Sequence, residues 1–99
     1  MRCVSTLHIE HPITDFATWS TAFAGFAEAR RNADVLGQRI HRPVDDDRYV
    51  MVQLDFANAD AATAFKDFLT TVVWTSAESA PGLAGTPRAL VLDQQTSSA

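Results

Sequence analysis

The sequence predicts an α+β domain whose elements follow the order β-α-β-β-α-β. Three observations carry that expectation. Residues 39–56, RIHRPVDDDRYVMVQLDF, read as a β-hairpin: Val50, Val52, Leu54 and Phe56 share one side and Tyr49, Met51, Gln53 and Asp55 the other, by the two-residue period of a strand. Before it, Phe16, Trp19, Phe23, Phe26 and Ala27 recur at three- and four-residue spacing, the stripe of an amphipathic helix. After it, Ala61, Phe65, Phe68, Leu69 and Val72 do the same.

Each element has its own signals. Residues 3–11 alternate, with Cys3, Leu7 and Ile9 on one side and Val4, Thr6, His8 and Glu10 on the other, and Pro12 is expected to end regular pairing. Thr14 is placed as the cap of a helix over 15–32, with Asp15 in its first turn and Arg30 and Arg31 in its last, where each charge suits the helix dipole. A second strand is expected over 35–43, with Gly37 near its start allowing a bend or bulge. The run Pro43-Val44-Asp45-Asp46-Asp47 is turn chemistry, and a third strand covers 48–56. Asn58 caps a second helix over 59–74. Residues 76–87, with two prolines and two glycines, form an irregular loop, and 88–93 return as a short last strand. One domain over 1–94 and a polar tail over 95–99 follow.

Composition narrows the function. The chain has 99 residues, 46% of them hydrophobic and 20% charged, which is ordinary for a globular domain. A net charge of −4 argues against nucleic-acid binding, which needs a lysine and arginine excess to neutralise phosphates; Arg30 and Arg31 are expected to be solvated. The lone Cys3 excludes an intrachain disulfide and a cysteine-based zinc cluster. His8 and Glu10 interrupt any apolar leader, and no apolar stretch approaches the roughly 18–20 residues of a membrane span. A cytoplasmic protein is the expectation.

Two split βαβ units make the ferredoxin-like arrangement, with strand order fourth, first, third, second and both helices on one face of an antiparallel sheet. The other face then carries Val4, Thr6, Tyr49, Met51 and either Leu90 and Leu92 or Ala89 and Val91. That is too apolar for a wholly solvated surface, so homodimerisation through the sheet is expected.

The strand CVSTLHIEH, the helix DFATWSTAFAGFAEAR, the hairpin GQRIHRPVDDDRYVMVQLDF and the helix ADAATAFKDFL together resemble the dimeric α/β-barrel superfamily, which includes the antibiotic biosynthesis monooxygenases. The resemblance covers residues 3–93. It implies sheet-to-sheet packing of two subunits and a cleft in each between sheet and helices. Members include cofactor-independent oxygenases, isomerases, heme-degrading enzymes and ligand binders. The heme-degrading branch uses a histidine on the second helix, and residues 59–78 contain none. The asparagine of the oxygenases has no counterpart either, since Asn32 and Asn58 sit at a helix end and a cap.

The candidate catalytic groups are His8 and His41, both on the second face; an imidazole titrates near neutrality and serves as a general base. One strand separates them, which puts them about 10 Å apart at a strand spacing near 4.8 Å, too far to share a metal. Arg39, Tyr49, Met51 and Gln53 are candidate ligand contacts on the same face, with Trp74 at one end of the cleft. His11 is expected to be exposed. Asp45, Asp46 and Asp47 lack the spaced ligands of a calcium loop. No metal or cofactor is expected. The sequence leaves open an enzyme acting on a small apolar or aromatic metabolite and a non-catalytic binding module.

Overall fold

The computed structural model describes residues 5–75 and 82–93; Cys3, Val4, residues 76–81 of the expected loop and the tail over 95–99 lie outside them. Strand β1 covers Ser5–Pro12, helices α1 and α2 cover Phe16–Gly25 and Ala27–Asn32, and strands β2 and β3 cover Gly37–His41 and Tyr49–Phe56. Helix α3 (Ala59–Phe68) runs into a π-helical turn, Leu69–Val73, and β4 covers Arg88–Asp93. The sheet order is β2-β3-β1-β4, antiparallel throughout. This is the ferredoxin-like α+β fold, with the predicted strand order.

Alternation sets the two faces. Leu7, Ile9, Val50, Val52, Leu54 and Phe56 are buried and meet Ala62, Phe65, Leu69 and Val73 from the α3 side. Strand β4 resolves the open alternative: Leu92 pairs with Thr6 and Leu90 with His8, so both leucines lie on the open face and are 40% exposed. Ala89 and Val91 pack against the core.

Four expectations change. Pairing does not stop at Pro12, which stands opposite Tyr49; beyond it Ile13 N–H donates to the Arg48 carbonyl at 2.8 Å and bridges to Leu83. Asp15 rather than Thr14 caps α1: its Oδ1 accepts from Thr18 N–H at 2.7 Å and its Oδ2 from the Thr18 hydroxyl at 2.9 Å. The first helix is broken after Gly25, at Phe26, by a residue of poor helix propensity beside a large aromatic that turns toward the core. Its second piece ends in a Schellman motif, with Asp34 at φ 58°, Asp34 N–H bonded to the Arg31 carbonyl and Val35 N–H to that of Arg30. Finally, Val72 is 50% exposed and Val73 is buried in its place, because the extra residue per turn of the π segment shifts the stripe.

Candidate functional site

The open face carries a directed chain of polar contacts. Arg39 holds Asp55 through two parallel bonds of 2.8 and 2.9 Å, and the Thr6 hydroxyl donates to Asp55 at 2.8 Å. Arg39 Nε donates to Gln53 Oε1, whose amide nitrogen lies 3.2 Å from His8 Nδ1. An amide nitrogen only donates, so His8 accepts at Nδ1 and turns its Nε2 toward Glu10, 3.4 Å away. Tyr49 closes the row by donating to Glu10 at 2.7 Å. These bonds lower the carboxyl of Glu10, chiefly through Tyr49, and that of Asp55, chiefly through Arg39. They raise Tyr49 and Arg39 correspondingly.

This network gathers most of the sequence-predicted residues. Arg39, Gln53, His8 and Tyr49 belong to it, and Met51 stands between His41 and Glu10 in the sheet register. His8 and His41 are separated by β3, as their strands require. Trp74 is not among them: it lies on the helix-covered side, against the hydrophobic core.

On that side is a partly open cavity of about 80 Å³. Its floor is Ile9, Val52 and Leu54 from the sheet, its roof Trp19, Phe23 and Phe26, and its far wall Leu69, Val73 and Trp74. The aromatic stripe creates the space. Helix α3 packs closely on β1, β3 and β4, while α1 stands off the sheet on its rings, with Trp19 and Phe23 stacked at 4.9 Å and Phe16 against Trp19 at 5.7 Å. The loop over 82–85 seals one edge. Thr14 N–H donates to the Gly82 carbonyl, and Gly82, at φ 87°, lies so close to Trp19 that a Cβ would come within 2.9 Å of its backbone nitrogen.

Two polar side chains line this apolar space, and neither was expected there. His11 is only 4% exposed. Its Nδ1 lies 2.9 Å from the Pro12 carbonyl, which can only accept, so Nδ1 carries the proton and the neutral ring keeps a lone pair on Nε2. That nitrogen has no hydrogen-bond partner among the described residues. Burial holds the imidazole pKa below its ordinary value, partly offset by the Pro12 bond. Arg30, expected to be solvated, is 9% exposed. Its Nη1 donates to the Phe23 carbonyl at 2.7 Å and its Cζ sits 3.8 Å from the centre of the Phe23 ring. Burial likewise lowers its pKa.

Both positions were marked in the sequence by period. His11 continues the Leu7–Ile9 parity, and Arg30 follows Trp19, Phe23 and Phe26 at helical spacing. Among the described residues no group of three or more metal-ligating side chains converges, and no helix is long and apolar enough to cross a membrane.

Two solved structures share this fold. One, from Bordetella bronchiseptica and named as a candidate antibiotic biosynthesis monooxygenase, superposes with a TM-score of 0.65 at 14% identity, covering 96% of this chain and 98% of that one. This chain has the ferredoxin-like fold of such monooxygenases. The second is a monooxygenase of Streptomyces coelicolor in complex with the ligand nanaomycin D, with a TM-score of 0.66 at 15% identity over 99% of this chain and 93% of that one. No protein-family model and no curated protein matches the chain. At such identities the likeness is one of fold, which hosts many chemistries.

Proposed function

We propose that this protein is a small cofactor-independent enzyme, monooxygenase-like or isomerase-like, acting on a small apolar or aromatic metabolite bound between sheet and helices. The observation that carries this reading is the apolar cavity lined by His11, a neutral imidazole whose Nε2 has no partner among the described residues. A pocket of apolar walls with few polar groups is the usual form of a small-molecule site. The fold shared with a monooxygenase that holds a ligand supports the same class.

The first step common to both reactions is proton transfer. His11 Nε2 takes a proton from an acidic carbon or hydroxyl of the substrate, leaving the electron pair on the substrate as an anion and the imidazole as a cation. Isomerisation returns that proton to a different atom. Oxygenation requires dioxygen as co-reactant: it adds to the carbanion as a peroxide, which takes back the proton from His11 and breaks its O–O bond, leaving one oxygen on the substrate as a carbonyl and the other as water. Burial lowers the His11 pKa, so the ring is unprotonated at neutral pH and free to accept a proton.

The open face supports a homodimer. Leu90 and Leu92 stand exposed on it beside half-buried Met51 and Tyr49, and a two-fold sheet-to-sheet pairing would cover them. In that assembly Arg39, Tyr49, Met51 and Gln53 form the wall between subunits, where His8 and His41 are the alternative bases. A cytoplasmic setting suits the single thiol of the chain.

The test is oxygen uptake and product formation with a panel of quinol-like substrates. Loss of turnover in His11→Gln with ligand binding retained supports His11 as the base. Loss in His8→Ala, His41→Ala or Arg39→Ala instead moves the chemistry to the open face. Saturable thermal stabilisation by ligand without turnover establishes the binding module in place of the enzyme.

A further inference from the structure

We propose that the cavity selects a small aromatic monoanion, with its negatively charged oxygen on the Arg30 guanidinium and its ring against Trp19 and Phe23. The inference rests on the cavity being the ligand site, and goes beyond that reading by assigning the ligand its charge and a residue that recognises it.

The argument begins with an unbalanced charge. Arg30 is nine-tenths buried, yet neither ion pair found among the described residues includes it. Among the described residues its guanidinium makes one hydrogen bond, to the Phe23 carbonyl near the break between α1 and α2. A guanidinium carries five N–H donors in a rigid fork suited to two parallel bonds with a carboxylate. One carbonyl and one ring face do not replace the hydration that a buried cation loses. The open face shows what the same chain does with an arginine it balances: Arg39 receives both oxygens of Asp55. Among the described residues that line the cavity none is acidic, and Arg30 borders the space a ligand would fill.

Size and surroundings complete the assignment. A cavity of about 80 Å³ is roughly half the ~150 Å³ of an engineered apolar cavity that accepts benzene. With one side open, a single ring with its substituent at the mouth is the scale that fits. Trp19 and Phe23 line the space with their faces stacked on each other, so a ligand ring meets them edge-on, an arrangement that aromatic pairs favour. His11 is neutral and accepts rather than donates at Nε2, so it supplies no second positive charge, and one negative charge suffices.

Arg30 also has a structural role, because it caps the Phe23 carbonyl. Titration of the full chain with benzoate and its neutral isostere benzamide separates the two, followed by calorimetry and by the indole N–H signal of Trp19. Benzoate is expected to bind wild type at least about tenfold more tightly than benzamide, the scale of one charge-assisted hydrogen bond. That preference should vanish in Arg30→Gln and survive in reduced form in Arg30→Lys, which keeps the charge but not the fork. A preference that persists undiminished in Arg30→Gln overturns the assignment. If the variants fail to fold, the wild-type comparison decides alone. Equal binding of the two ligands sinks the charge assignment and leaves the cavity a ligand site. Failure of both, and of indole as a neutral aromatic probe, removes the ligand site as well.

Discussion

The two faces of the sheet treat polar groups in opposite ways. On the open face, Thr6, Asp55, Arg39, Gln53, His8, Glu10 and Tyr49 satisfy one another from strand to strand. On the helix-covered face, a buried arginine and a buried histidine each bond one backbone carbonyl and otherwise border an apolar cavity. A dense cluster of functional-looking side chains is thus self-contained, while two isolated residues retain capacity for something else. Chemical potential here follows the unmet valence of a group more than the number of polar neighbours it has.

The contrast can be broken most severely from the helix side. Phe56 is fully buried against Phe65, and Phe56→Ala should cost about 3–5 kcal/mol of stability, read by denaturant unfolding. Next in size is Gly82→Ala, which forces a Cβ into the Trp19 backbone at positive φ. We expect a loss of about 1–3 kcal/mol and weaker binding of aromatic ligands, since the cavity edge shifts. No change in either measurement would show that the loop does not seal the site.

Acid should distinguish the faces by their titration ranges. His11 has a folded-state pKa below its ordinary 6.5. The unfolded chain therefore binds the extra proton first, and the stability that His11 contributes is present above about pH 6.5 and lost as pH falls below it. Glu10 and Asp55, also lowered, lose theirs only through the carboxylate range. His11→Gln should flatten the unfolding midpoint between about pH 7 and pH 5, and an unaltered slope would assign that range to another group. The smallest effect belongs to the open face: Arg39→Ala removes an exposed ion pair and should cost at most about 1 kcal/mol. Its affinity for a cavity ligand should match wild type, and a large loss would join the two faces functionally.

Much of the architecture was legible before any coordinates. The parity of Val50, Val52, Leu54 and Phe56 placed the core side of β3, Asn58 marked the start of α3, and the strand order followed from the element sequence. The site was less legible, because residue type and period point in opposite directions there. His11 beside a proline and Arg30 beside Arg31 looked solvent-exposed by type, whereas parity with Ile9 and helical spacing from Phe26 put both inward. Other differences arose from local geometry that spacing does not encode: the break at Phe26, the cap at Asp15, and the exchange of Val72 for Val73.

That last exchange has a consequence for how such a chain can diversify. One residue in an α-helix turns everything after it by about 100°, and the π-helical turn at Leu69–Val73 absorbs such an extra residue without unwinding the helix. Deleting a single residue there would re-aim Trp74 and redraw the cavity wall while the sheet and α1 stayed in place. Insertion and deletion, as well as substitution, can therefore tune what this fold accepts.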